Sequence, residues 1–528
     1  MKKRNLLFAA IFTMVTFAGL SVKAQDSVFS YAYQGTTLYY IIDNDQHARL
    51  VPPLYPDMYY NADSTESSSW HGYAQPQGDV VVPGSVVFNG TSYPVTAVEA
   101  FAFYPCDSVT SVTLPASVTY LEHDAFTFCS IETISMPGVT YMGEGCFYIA
   151  YALSSVDIPA GVTTIPDWCF SECAALQSVT LHEGLTNIGF CGFQSCPSLQ
   201  SVTFPHTLTT IGHNAFLFCT SLQSVSLHDG LTSIGVSAFE GCSSLQSVTL
   251  PENLTTLSLS AFKGCSSLQS VDIPGSVSII EEWCFNQCNN LATVTLHEGT
   301  EKIAYCAFRE CYNLTSINYP TTLKVIAPFA FQYDTALASP LILHEGLTTL
   351  GMVAYGDCKS IVTASLPGSL GEVSAEVFFG CTSLSTVTIG DGITAIGEQA
   401  FNHCPNIDTF FVNCAVPPTV GPQSDSTFFT YNSTIVVPCG SGEAYRQHTA
   451  WGLFSDIVED CSVGIPETNL PNFTIRVANS SIVVDGAEGE TVRVFDISGR
   501  QVNNCGLPNG VYIVKVGNYP ARKIVVTR

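Results

Sequence analysis

Apolar and polar positions along most of the chain follow one short pattern. In SLQSVTLPENLTTLSLSAFKGC, Ser244 to Cys265, the polar Ser247 and Thr249 alternate with the apolar Val248 and Leu250. Successive side chains of a strand point to opposite faces, so this alternation predicts a short strand with one face buried. Pro251 ends it, because proline has no N–H to give to a ladder. LTTL, Leu254 to Leu257, predicts a second short extended piece. SAFKGCSSL then predicts a helical turn that brings the chain back.

The pattern recurs. Its aromatic falls at Phe103, Phe126, Phe147, Phe170, Phe193, Phe216, Phe239, Phe262, Phe285, Phe308, Phe331, Tyr355, Phe378 and Phe401, fourteen units in steps of 23 with one of 21 and one of 24. A fixed period between 20 and 29 residues, with leucines at L-x-S-V-T-L-P-x-x-L-T-x-I, predicts a leucine-rich-repeat solenoid. Its coils are rich in β structure with short helical turns, and a parallel sheet runs along one side. One unit cannot bury its own Leu, Val and Phe. Stacking covers them, so stability is mostly coupling between neighbouring coils. The phenylalanines should form an internal ladder.

A cysteine follows three residues after the aromatic in twelve of the fourteen units; Ala150 and Asp334 are the exceptions. A zinc site needs four convergent ligands, which one thiol per coil does not supply. These cysteines therefore read as small buried apolar groups. Cys146, Cys169, Cys191, Cys284 and Cys306 stand outside this column. Cys169 and Cys191 are 22 residues apart, and so are Cys284 and Cys306. The contexts DWCFSEC…LHEG…GFCGF and EWCFNQC…LHEG…AYCAF match at an offset of 115, five units of 23, which points to an internal duplication. Facing positions on adjacent coils lie within disulfide reach. Two inter-coil disulfides are predicted, Cys169–Cys191 and Cys284–Cys306.

The ends depart from the pattern. Residues 1–24 carry Lys2, Lys3 and Arg4, then an apolar run, then VKA before Gln25, which predicts a signal peptide cut at that point. Residues 25–100 read as an N-terminal β cap: SYAYQGTTLYYII predicts a hairpin, and VVVPGSVVFNGTSYPVTAV predicts a first coil with a hairpin inserted at Asn89–Gly90. The solenoid is assigned to 101–412 and a closing cap to 413–464, where Cys439 and Cys461 are placed to staple it. Residues 465–528 change to alternating strands with Gly and Asn turns, which predicts a small antiparallel β-sandwich.

Composition narrows the function classes. Hydrophobic residues make up 46% and charged residues 12%, the opposite of a disordered chain. The net charge of -26 and the lack of a basic stripe argue against nucleic acid as a partner. No segment after residue 24 has 18 uninterrupted apolar residues, so no transmembrane segment is expected once the signal is removed. An odd count of 21 cysteines in an exported chain leaves at least one unpaired within it.

No catalytic site, cofactor site or metal site is predicted. LHEG recurs at His182, His297 and His344, with LHDG at His228, but no second histidine follows at metal-protease spacing. These histidines take the place of Pro205 or Pro251 just after a strand and read as turn residues. Ser178, Thr180, Ser201, Thr203, Ser224, Ser226, Ser247 and Thr249 are predicted to line the exposed face of the main sheet. Such a face has few aromatics or arginines, the residues that anchor tight interfaces. Binding there would be weak per site and strengthened by repetition.

The phrase LxSVTLPxxLTxIGxxAFxxC over about residues 80–412 resembles the Treponema pallidum type of leucine-rich repeat, as in BspA-like surface proteins. VPCGSGEAYRQHTAWGLFSDIVE is similar to the segment that closes such arrays. VRVFDISGRQV…LPNGVYIVKV…ARKIVV resembles the type A sorting domain of the Bacteroidetes type IX secretion system. The resemblance implies passage through the periplasm to the cell surface or medium. It also implies adhesion to a protein or glycan ligand on host matrix or neighbouring cells. A structural coat or spacer without a specific ligand is the alternative.

Overall fold

A computed structural model describes residues 28–55, 69–421, 427–428, 431–461, 474–478, 481–485, 491–496, 501–508, 510–516 and 522–526. The predicted signal peptide lies outside them, as does the start of the segment resembling a sorting domain. The chain divides into two compact units, Met1–Leu337 and Ala338–Arg528, so the division falls inside the repeat array.

The first unit is a parallel β-solenoid. Strands at Ser155–Asp157, Ser178–Thr180, Ser201–Thr203, Ser224–Ser226 and Ser247–Thr249 pair in parallel. Equivalent residues face each other, as in Ser201↔Ser224↔Ser247 and Val202↔Val225. The second short piece of each coil forms its own parallel sheet, from Thr164–Ile165 to Thr256–Leu257. A step of 23 residues thus sets every residue on its homologue, and the interior becomes columns of like side chains.

The phenylalanine column is the core. From Phe103 to Phe331, neighbouring rings lie 4.9–5.5 Å apart with planes within 2–12° of parallel. Coils spaced like strands, about 4.8 Å apart, impose this stacking. Each ring is fully buried. Burial of one such side chain stabilises by roughly 1.5–3 kcal/mol, and ring contact adds about 0.5–1.5 kcal/mol.

The helical turn of each coil is a succession of bonds between residues three apart, such as Ala238 N–H to Gly235 O, Glu240 to Ser237 and Cys242 to Phe239, each 3.2 Å. It does not continue into a helix, because two residues flanking the buried ring are left-handed. In one coil these are Ser237 at φ 52° and Gly241 at φ 73°. That geometry turns alternate N–H groups towards the next coil: Ser237, Phe239 and Gly241 donate to Leu259, Ala261 and Lys263.

The cysteine column is buried, and it adds a bond that the pattern did not foretell. From Cys173 to Cys311 each thiol donates to the carbonyl of the phenylalanine 26 residues earlier, at 3.1–3.2 Å. Alanine at that position would leave the carbonyl without this donor. Asp334 replaces the cysteine in one coil. It is fully buried and accepts the Cys311 N–H at 2.8 Å, and burial pushes its carboxyl far above the usual range.

The N-terminal cap begins with antiparallel strands Phe29–Tyr33, Thr36–Ile42 and Ala48–Val51. Ala48–Val51 then joins Thr91–Val98 in parallel and so enters the solenoid sheet. Ser85–Phe88 folds back on Thr91–Val98 as the inserted hairpin, with Asn89 and Gly90 both left-handed, as a two-residue turn requires. The buried Trp70 indole donates to Ala102 O, fixing the cap to the first coil.

The second unit opens with the same coil architecture. Strands at Leu341–Ile342, Thr363–Leu366, Thr386–Ile389, Thr409–Val412, Thr434–Pro438 and Asp456–Asp460 form a parallel sheet. Tyr355, Phe378, Phe401 and Phe428 stack at 5.7–6.0 Å. Buried Tyr445, Trp451 and Phe454 pack at the end of the coils, where Tyr445 Oη donates to Cys414 O and the Trp451 indole to Pro418 O, each at 2.8 Å. Beyond this lies a separate antiparallel module. Thr474–Ala478 pairs with Ser481–Asp485, and Val492–Asp496 and Gly510–Val516 sit centrally in a four-stranded sheet. Ile482, Val494, Leu507, Tyr512, Val514 and Val516 form its own core.

Candidate interaction surfaces

The eight Ser and Thr residues of the predicted sheet face are all exposed, while Val179, Val202, Val225 and Val248 between them are buried. The face is a regular carpet of hydroxyls at strand spacing. It holds no cluster of side chains able to do chemistry.

The predicted disulfides do not form. Cys169, Cys191, Cys284 and Cys306 are free and buried, and the disulfide among the described residues is Cys439–Cys461. The reason is register. A coil here is 23 residues long, so the homologue of Cys169 is Gly192, in an inner column that continues through Ala215 and Ala238. Cys191 instead shares a column with Trp168 and Asn214, the left-handed position two residues before the ring, at φ 54°. A spacing of 22 therefore places the two thiols in different columns. Burial pushes the thiol of Cys191 up to about 12 and that of Cys306 up to about 11, so both stay protonated and unreactive.

The LHEG motif proves to be a clamp between coils. The Glu183 carboxylate accepts the N–H groups of His206 and Thr207 at 3.0 and 3.3 Å, and Glu298 accepts those of Thr321 and Thr322 at 2.9 and 3.1 Å. These bonds hold both carboxyls below their usual range. His182 Nε2 lies 2.7 Å from Asp157 Oδ1, and His297 Nε2 lies 2.7 Å from Asp272 Oδ1. The second set repeats the first at an offset of 115, which extends the duplication to a His–Asp contact across coils. His228 and His344 make no such pair, and the His206 ring lies 5.1 Å from that of His228, tilted by 37°.

Among the described residues, one group brings three metal-ligating side chains together: Cys439, Glu459 and Cys461. The disulfide occupies both sulfurs, and Glu459 accepts the N–H groups of Gly440 and Gly442. A recess in the second unit, lined by Glu372, Ser374, Ala395 and Thr419, offers one titratable group and no acid–base pair. No helix among the described residues is long and apolar enough to cross a membrane.

The sequence reading missed the most distinctive surface. On the turn side of the first coils, Phe101, Tyr104, Phe128, Tyr148, Trp168 and Phe190 form a continuous edge-to-face zigzag. Their centroids are 5.7, 5.8, 6.0, 6.2 and 5.1 Å apart, with planes at 74–81°. Phe128 and Phe190 are 39% and 37% exposed, and the other four are half-buried. Left-handed backbone at Phe101, Phe128 and Trp168 turns these rings outward from the coil. The duplicated segment carries a shorter copy, Trp283–Tyr305–Phe329, at 5.5 Å steps. The signal was present in FAFY, AFTF, CFYIAY, DWCF and GFCGF, where extra aromatics flank the buried one.

Comparison with known proteins agrees with this architecture. The model of the BspA type leucine rich repeat region matches residues 96–223, 209–338 and 337–420. No curated protein matches the chain. A leucine-rich repeat protein from Bacteroides ovatus is 24% identical over 73% of this chain and 93% of its own, with a TM-score of 0.52. A leucine rich cell surface protein from Faecalibacterium prausnitzii is 20% identical over 83% and 96%, with a TM-score of 0.38. The pneumococcal vaccine antigen PcpA is 18% identical over 82% and 98%, with a TM-score of 0.40. The family match spans well over half of the sequence, and the structure shows why its repeat has this length: the chain belongs to the BspA-type leucine-rich-repeat family.

Proposed function

We propose that this chain is an exported bacterial cell-surface or secreted protein that mediates adhesion or protein–protein recognition. The observation that carries the reading is the aromatic zigzag from Phe101 to Phe190, which presents two exposed phenylalanines among half-buried Trp, Tyr and Phe rings on a repeat. Tight interfaces centre on such anchors. The Ser/Thr sheet face is a second surface, for weak, repeated contacts. Passage through the periplasm follows from the N-terminal segment that resembles a signal peptide. Sorting through a type IX system follows from the resemblance of the C-terminal module, whose independent core suits a separable domain. The ligand class is a protein or glycan on host matrix or neighbouring cells.

The test is binding of the full mature chain to immobilised matrix proteins and whole cells, alongside fractionation of the native organism. Saturable binding that is competed by excess solenoid, from a surface or medium species starting at Gln25, supports the reading. A chain held in the periplasm, or one that self-assembles with no saturable ligand, supports the coat or spacer reading instead.

A further inference from the structure

Between Arg49 and Lys263 the sequence contains no lysine or arginine, and its 213 residues contain seventeen aspartates and glutamates. The aromatic zigzag lies wholly within this stretch. Five of the acids sit beside its rings. Glu122, Asp124 and Glu144 are close enough to raise the affinity of His123 for a proton, and the His123 ring lies 5.3 Å from Phe101. Glu172 Oε1 accepts the Tyr148 hydroxyl at 3.4 Å, and Asp167 Oδ1 accepts the Phe190 N–H at 2.7 Å. Glu144 and Glu172 are exposed. The stretch itself supplies no lysine or arginine to neutralise them, and Arg49 at its edge acts on Glu122.

Aromatic faces interleaved with carboxylates and poor in competing cations are complementary to guanidinium and ammonium groups. Rings attract a cation through their quadrupole, and the carboxylates add charge and hydrogen-bond acceptors. The edge-to-face arrangement presents successive rings in alternating orientation, at intervals set by the coils, so an extended chain running along the coils meets a ring and an acid repeatedly. We infer that the Phe101–Phe190 ridge docks an extended, arginine- and lysine-rich segment of a partner protein. This rests on the recognition function proposed above and names the chemistry of its partner.

The test uses the full mature chain and a fluorescein-labelled peptide of alternating Arg and Ser with six arginines; its Arg→Gln counterpart is the control. The expected result is saturable binding of the arginine peptide only, weakened about tenfold or more between 50 and 500 mM salt as screening grows. Trp168→Asn combined with Phe190→Ser, and separately the exposed charge reversal Glu144→Lys, should each weaken binding about tenfold. Asparagine tolerates the left-handed backbone at 168. Ser201→Ala with Ser224→Ala on the sheet face should leave it unchanged. Equal binding of both peptides, or unaltered binding by both ridge variants, overturns the assignment. So does a ligand held by the same rings without salt dependence, as a neutral glycan would be. If the chain still binds matrix proteins or cells while the ridge variants behave as wild type, only the ridge assignment falls. If the unaltered chain binds none of them, the recognition function itself falls.

Discussion

Three pairs of cysteines in this molecule stand 22 residues apart, and only one of them is bonded. In the second unit, Thr434–Pro438 pairs with Asp456–Asp460 at an offset of 22, so Cys439 and Cys461, the next residues, face each other with Cα atoms 4.5 Å apart. In the first unit the coil is 23 residues long, and the same spacing leaves Cys191 one residue out of step with Cys169. One residue of slip changes which way a side chain points. Spacing between cysteines therefore has meaning only relative to the local coil length. The duplicated pair Cys284 and Cys306 repeats the slipped case.

The largest effect is expected from loss of the column that holds the register itself. Phe239→Ala removes a fully buried ring between two stacked neighbours and should cost about 3–5 kcal/mol, read by chemical denaturation. Next comes the bonded pair: Cys461→Ser should destabilise the second unit by about 2–4 kcal/mol, whereas Cys191→Asn breaks no covalent link and should cost about 1–3 kcal/mol for placing a polar group at a buried site. Asn214 already occupies that left-handed column in the next coil, which is why asparagine fits.

Peptide mass mapping without reduction checks the same contrast and should recover the Cys439–Cys461 link. The unaltered chain should yield no Cys169–Cys191 link. Thiol titration sharpens the same contrast: the native chain should react at the exposed Cys505 alone, and the unfolded, unreduced chain at 19 thiols.

The smallest effect concerns the LHEG clamps. Glu183 and Glu298 have carboxyls held below their unfolded values by backbone N–H groups. Their contribution is complete above the unfolded carboxylate value of about 4.3 and is lost as pH falls through the lower folded value. Thermal melts should therefore show a small acid-side loss of stability that Glu183→Gln with Glu298→Gln reduces. An unchanged acid-side slope would mean that these clamps do not stabilise the coils.

Much of the fold was legible because a repeat reports the same fact many times. The alternation around Val248 gave the strand, Pro251 its end, and the spacing of Phe239, Phe262 and Phe285 the ladder. The Ser/Thr face followed from the same alternation. The aromatic ridge was not legible, because Tyr104, Phe128, Tyr148, Trp168 and Phe190 are spread over four positions within their coils. No single column of the repeat contains them, and they meet only diagonally, across coils. The roles of Glu183 and Glu298 were hidden for a similar reason: their partners lie 23 and 24 residues away on the next coil.

The sequence by itself determined the repeat, its period, the inward and outward faces of each strand and the excess of acid over base. These are local or periodic properties, set by side-chain alternation and composition. Tertiary structure alone decided which thiols meet, which turn residues are left-handed and which aromatics adjoin. Each depends on coil length counted to the residue and on backbone direction at the turns, so a displacement of one position, about 3.3 Å along a strand, moves a side chain into a different column.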